Sequence, residues 1–282
     1  MNSRLQGAFF ALLLFVSKGT LAQVEGTTVW IPMGEKGASG ERVIRIEATL
    51  FKPSAVGPYP VLIFNHGSSG GPIPATYTEN PKVFGAYLVS KGIALLVPMR
   101  RGRGKSEGSN NEEPSPCTVE AAMQGLRYAS ETVDAVYEYL RQQSWATMDK
   151  VILAGHSRGG VLASVYAAEH PGAASAVINF SGGWKNDNCG PVDVNTVLFS
   201  RAGSGTRVPN LFLYARGDAF YSDVSMANYA AAFKSAGADV NFKLLNVEKI
   251  NGHQLFHRGM PVWKSSVDDF LQRTGIGTKL DQ

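Results

Sequence analysis

An α/β fold, a mostly parallel central sheet with helices on both faces, is predicted by three features of the 282-residue chain. Continuous apolar runs recur along it, amphipathic stretches lie between them, and turn-forming residues follow the runs. A strand covered on both faces needs no polar side, so its sequence is an unbroken apolar block rather than an alternation. With 44% hydrophobic and 18% charged residues, the chain has the profile of one soluble domain large enough to bury most of its unfolded surface.

In chain order, Arg4 precedes the apolar stretch Ala8 to Val16, and Thr20-Leu21-Ala22 supplies small residues before a cut ahead of Gln23. This is the pattern of a cleaved secretory signal, so residues 1–22 are expected to be a signal peptide and 23–282 a single periplasmic or secreted domain. The run is short for a bilayer span, no later stretch approaches about 18 uncharged apolar residues, and no cysteine marks a lipid attachment point. No membrane partner is expected after signal removal; an uncleaved anchor is the alternative.

From Arg42 to Leu50, Ile44, Ile46, Ala48 and Leu50 fall on one side and Arg45, Glu47 and Thr49 on the other, a half-exposed strand near a sheet edge. Pro60 to Phe64, Ile93 to Pro98, Val151 to Gly155, Ala176 to Phe180 and Leu211 to Tyr214 are continuous and belong to the parallel centre, with Val240 to Leu245 as the last strand. Leu126, Ala129, Val133, Val136, Tyr137 and Leu140 share one helical face; further helices run from Arg158 to His170, about Ser222 to Ala236, and Pro261 to Gln272. The alternation implies right-handed crossovers after an opening antiparallel strand or hairpin. The long loops Gly102 to Cys117 and Gly182 to Val194 follow strands, where open α/β sheets carry their sites. About 26 residues separate the strand ends near Ser181 and Val208 and must hold a helix, so no large lid fits.

Removing residues 1–22 takes away Arg4 and Lys18 and no acid, leaving 25 basic against 23 acidic side chains. That balance names no polyanionic partner. The basic run Arg100 to Lys105 lacks interleaved aromatics, so no nucleic acid is expected. Met99 stands where a phosphate loop ending in Gly104-Lys105-Ser106 needs its first glycine, which removes ATP binding. Cys117 and Cys189 lie in polar, loop-like surroundings, and in an oxidising compartment such a pair reads as a disulfide closing about 70 residues, worth up to roughly 4 kcal/mol. Two buried free thiols are the alternative.

The chemistry is carried by Gly155-His156-Ser157-Arg158-Gly159, set between the apolar run Val151 to Ala154 and a helix. This is the strand, sharp turn and helix context of a nucleophile elbow. A serine hydroxyl is a weak nucleophile, so it needs a base to take its proton and an acid to orient the base, in chain order serine, acid, histidine. Asp218 leaves the strand Leu211 to Tyr214 and is the expected acid, with Asp223 as competitor; the alternative reading of Arg216-Gly217-Asp218 as an adhesion tripeptide rests on three residues. Among five histidines, His253 lies beyond the last strand in Asn251-Gly252-His253 and is the expected base, with His257 second. His156 would point away from the serine, His170 ends a helix and His66 lies on an earlier loop. His253 and His257 stand at i,i+4, but without an intervening glutamate or a third ligand no metal is expected. The oxyanion needs two backbone donors: Arg158, directly after the serine, and Ser68, in the turn Asn65 to Gly71.

On these residues the chain resembles the α/β-hydrolase superfamily, and more closely its dienelactone-hydrolase-like and prolyl-oligopeptidase-like esterase branches, over roughly residues 42–273. Arg101-Gly102-Arg103-Gly104-Lys105-Ser106-Glu107-Gly108 is similar to the R-G-x-G-x-S-x-G loop after the fourth strand in many such enzymes. Two departures stand out: Met99 replaces an aspartate often found two residues before that arginine, and Ser157 stands where dienelactone hydrolases use cysteine. The resemblance implies the α/β-hydrolase fold and a cofactor-free serine carboxylic-ester hydrolase acting on a small or polymeric ester. Trp184 and Arg101 are candidate substrate contacts, the first against simple rim packing and the second against a structural role. A peptidase of the prolyl-oligopeptidase type and a non-catalytic binding protein on the same scaffold are the alternatives. Acyl length, alcohol and oligomeric state are not written in these motifs.

Overall fold

The computed structural model describes residues 25–37, 40–68, 73–112, 116–190 and 193–277, so the expected signal segment lies outside the described residues. The chain opens with a hairpin of β1 (Thr27–Gly37) and β2 (Gly40–Phe51), paired antiparallel from Thr27↔Leu50 to Gly37↔Gly40. Strands then alternate with helices: β3 (Tyr59–Asn65), α1 (Lys82–Val89), β4 (Ala94–Pro98), α2 (Val119–Arg141), β5 (Ala146–His156), α3 (Arg158–Glu169) and β6 (Ala176–Phe180). After these come α4 (Val194–Gly205), β7 (Asn210–Ala215), α5 (Asp223–Ser235), β8 (Val240–Leu245), the short α6 (Leu255–Arg258) and α7 (Met260–Arg273). The strands form one eight-stranded sheet ordered β1-β2-β4-β3-β5-β6-β7-β8. β2 meets β4 antiparallel, and every pairing from β4 to β8 is parallel.

The continuous apolar runs fill two cores. Because side chains alternate along a strand, Val61, Ile63, Leu153 and Phe212 face the core under α2, α3, α4 and α5, while Leu62, Phe64, Ile152 and Leu211 face the one under α1, α6 and α7. In the second core Phe64 stacks on Phe256 with ring centroids 4.2 Å apart. Short-range chemistry sets the helix starts: the Thr118 side chain accepts from the Ala121 N–H at 3.2 Å, and Ser222 from Ser225 at 3.1 Å.

One expectation fails at β2. It is second from the edge, and Glu47 and Thr49, placed on its open side by the alternation, are 0% and 3% exposed. Loops after β3 and β4 cover that side: Thr78 Oγ1 donates to Glu47 Oε1 at 2.9 Å, and Thr49 Oγ1 donates to the Glu79 carbonyl at 3.0 Å. Polar partners let a polar face be buried, which periodicity cannot foresee.

Two features position the site. The chain leaves β3 for β4 on one side and returns to β5 on the other, so the carboxyl ends of β3 and β5 frame a crevice where Asn65 pairs with Gly155. Cys117 and Cys189 are bridged, with Cα atoms 5.4 Å apart, tying the start of α2 to the loop after β6. Among the described residues no helix is long and apolar enough to cross a membrane.

Candidate active site

Ser157 ends β5 and begins α3 with φ 55° and ψ −124°, a conformation that costs an L residue of order 1–3 kcal/mol. The turn is over-determined: the Ser157 N–H donates to Phe180 O at 2.9 Å, and its carbonyl accepts from Gly160 at 2.9 Å and Gly183 at 3.2 Å. A Cβ on Gly159 would collide with the Asn65 carbonyl, so strand and helix pass this closely only with glycine there.

Asp218 leaves β7 and His253 sits in a one-turn 3₁₀ helix, Gly252–Gln254, beyond β8. Their side chains meet at 2.8 Å, Nδ1 to Oδ2, with the carboxylate 0% and the imidazole 12% exposed. A carboxylate only accepts, so Nδ1 carries the hydrogen and Nε2 is left with its lone pair. Asp218 Oδ1 also accepts from the Phe220 and Tyr221 N–H groups at 2.8 and 3.2 Å. The two loops are laced together by Asn251, whose Oδ1 accepts from His253 at 2.9 Å and Ala219 at 3.1 Å. A Cβ on Gly252 would lie 2.5 Å from the Ala215 carbonyl, so a glycine lets the His253 turn settle onto the strand end.

His156 does point away from the serine. Its Nε2 donates to the His253 carbonyl at 2.7 Å, and burial holds its pKa well below the usual histidine value. His66 is held low by burial too, and by the charge of Arg100. His66 Nε2 accepts from the Arg100 N–H at 3.0 Å, and the Arg100 guanidinium donates to the His66 carbonyl at 2.6 Å. Glu112 anchors that guanidinium at 2.6 Å and the Arg103 guanidinium at 3.0 Å. The turn after β3 is therefore clamped by a fully buried arginine next to the position singled out in the sequence.

Ser68, Ser157, Arg158, Trp184, Tyr221 and His253 line one cavity of about 240 Å³. Trp184 is 2% exposed and both forms wall and packs: the Arg158 guanidinium lies 5.3 Å from its ring, and its backbone N–H donates to Asn195 Oδ1 at 2.7 Å. Arg101 does not reach the cavity. Its guanidinium covers the Tyr128 ring at 3.6 Å and pairs with Glu131 at 2.8 Å, contacts within the fold. Neither competitor lines that cavity: Asp223 pairs with Arg216 on the surface, and His257 stands 4.0 Å from Glu79. Sequence reasoning missed Arg100, Glu112 and Tyr221. No spacing signal separates Arg100 from Arg101, and Tyr221 carries only its closeness to Asp218. A larger cleft, about 640 Å³ between α2 and the end of α3, lies away from Ser157.

A strained hydroxyl and an imidazole whose Nδ1 is held by a carboxylate line the same cavity, which is chemistry suited to acyl transfer. The family described as serine aminopeptidase, S33, matches residues 76–210. Among solved structures, an esterase from Pyrococcus furiosus is similar at 14% identity with a TM-score of 0.63, over 90% of this chain and 91% of that one. A putative dienelactone hydrolase from Klebsiella pneumoniae is similar at 16% identity and TM-score 0.57, over 88% of this chain and 99% of that one. The acylaminoacyl peptidase of Pyrococcus horikoshii matches at 14% identity and TM-score 0.63 over 88% of this chain. The chain spans only 41% of that peptidase's length. No curated protein matches by sequence. The fold is the α/β-hydrolase fold that these solved structures share, and the serine aminopeptidase family model covers just under half of the chain.

Proposed function

We propose that the chain is a serine carboxylic-ester hydrolase, secreted or periplasmic after loss of residues 1–22. The observation that carries this reading is the 2.8 Å contact of His253 Nδ1 with Asp218 beside an elbow serine in the left-handed region. Ser157 Oγ attacks the acyl carbon as its proton passes to His253 Nε2; Asp218 holds the imidazolium that forms. The N–H groups of Ser68 and Arg158 receive the oxyanion. His253 then gives its proton to the leaving alcohol, and water resolves the acyl-enzyme by the same route in reverse. No cofactor enters the scheme. The disulfide supports an oxidising compartment.

A peptidase is the second reading, favoured by the matched serine aminopeptidase family and the acylaminoacyl peptidase likeness. One experiment separates them: a p-nitrophenyl ester series from acetate to palmitate and a set of aminoacyl and N-acyl peptide p-nitroanilides, with Ser157→Ala in parallel. Ester turnover that peaks at one chain length and disappears in Ser157→Ala supports the esterase. Turnover confined to the anilides transfers the assignment to the peptidase, and equal rates in both proteins remove the serine mechanism.

A further inference from the structure

Tyr221 has no place in the scheme above, yet it shares the cavity with Ser157 and His253. Its ring is 4% exposed and lies 5.6 Å from the His253 ring. Its phenol has the Ser157 hydroxyl among its electrostatic surroundings. Its position is enforced from two sides. The backbone N–H is held by Asp218 Oδ1 at 3.2 Å, so one carboxylate places both the base and the tyrosine. A Cβ on Gly183 would stand 2.5 Å from the Tyr221 oxygen, so the phenol rests on a glycine that itself donates to the Ser157 carbonyl at 3.2 Å. Burial, and then the nearby Asp218 charge, raise the phenol's pKa, so it remains a donor wherever His253 can act as a base.

Once Ser157 Oγ bonds to the acyl carbon it accepts only weakly, so a phenol walling the same cavity is left to donate elsewhere. The leaving oxygen then carries the growing charge, and it must come to His253 to be protonated, on the side where Tyr221 stands. Resting on the ester-hydrolase reading, we propose that Tyr221 is a further catalytic residue, donating a hydrogen bond from its hydroxyl to the leaving-group oxygen as the acyl carbon–oxygen bond breaks. The bonding electrons go to that oxygen, His253 supplies the proton it takes up, and Tyr221 keeps its own.

The contribution should scale with the charge the leaving oxygen bears. The test is kcat/KM for Tyr221→Phe and the unaltered protein on acetates of ethanol, trifluoroethanol, phenol and p-nitrophenol. The ethyl ester should lose at least about tenfold and the p-nitrophenyl ester less than about threefold, so that the dependence on leaving-group pKa steepens. Gly183→Ala, which pushes the hydroxyl aside without removing it, should steepen it likewise. Equal losses across the four esters, or no loss on any, would overturn the proposal. Failure of the underlying reading would look different: Ser157→Ala would then hydrolyse the p-nitrophenyl ester as fast as the unaltered protein.

Discussion

Replacing Asp218 by asparagine tests the proposed proton path at its least replaceable point. Asp218 accepts three N–H groups, from Phe220 and Tyr221 at Oδ1 and from His253 at Oδ2. In the amide, the oxygen must stay with the two backbone donors, which leaves the NH₂ facing His253 Nδ1 where the contact is now 2.8 Å. Two donors cannot share that distance, so the imidazole moves its hydrogen to Nε2, the nitrogen that must accept from Ser157. Geometry survives and the tautomer is wrong. The expected loss in kcat is about 10³- to 10⁴-fold, or roughly 4–5.5 kcal/mol of barrier. The assay is p-nitrophenyl acetate hydrolysis under saturation, with thermal unfolding to establish that the variant is folded. Asp223→Asn is the control, since that carboxylate pairs with Arg216 on the surface, and it should stay within about twofold. A folded Asp218→Asn variant that retains a tenth of the activity would refute this tautomer reasoning and the acid assignment with it.

Two further outcomes follow from the same contacts. His66 and His156 are buried with pKa values held well below the unfolded value of about 6.5, so the unfolded chain binds protons that the folded one refuses. Stability is therefore full above about pH 6.5 and falls as pH drops below it, by up to roughly 1.4 kcal/mol per pH unit for each histidine. Denaturant titrations between pH 7 and 5 should show this slope, and His156→Gln, which keeps a donor for the His253 carbonyl, should remove one histidine's share; an unchanged slope would mean His156 titrates normally. The Cys117–Cys189 bridge, 72 residues apart in sequence, should contribute about 4 kcal/mol by restricting the unfolded chain. A Cys117→Ser/Cys189→Ser double variant should unfold at correspondingly lower guanidinium. Its active-site loop should stay in place, because Asp187 still accepts from Ser222 at 2.7 Å and Asn195 still clamps Trp184 and Lys185. A stability difference below about 1 kcal/mol would contradict the entropic account.

Strand β6 was legible to the residue, and β3, β4 and β7 to within one residue at each end, because a strand covered on both faces must be apolar throughout and that demand is local. β5 starts five residues before its apolar run, and the edge strand β8 matched its expected span although Asn241 and Lys243 interrupt its apolar residues. The elbow was equally legible: a turn this tight admits only glycine two positions to either side of the serine, and Gly155 and Gly159 announce it. Asp218 and His253 could be ranked by their places after strands, since chain order and strand ends follow from the sequence. Their meeting could not be read, because it depends on two loops 35 residues apart settling on the same sheet edge, held by Asn251 and the closeness that Gly252 allows. The burial of Glu47, the clamp of Arg100 on the His66 turn and the seat of Tyr221 on Gly183 were likewise decided only in three dimensions. Arg100 and Arg101 show why: neighbours of one type in one turn, they differ only in the direction the turn sends them, one to Glu112 and the His66 carbonyl, the other to Tyr128 and Glu131. Residue types and periodicity act over a few positions and set elements and candidate chemistry. Direction, pairing and burial of polar groups are set by contacts between distant segments, and those exist only once the sheet is assembled.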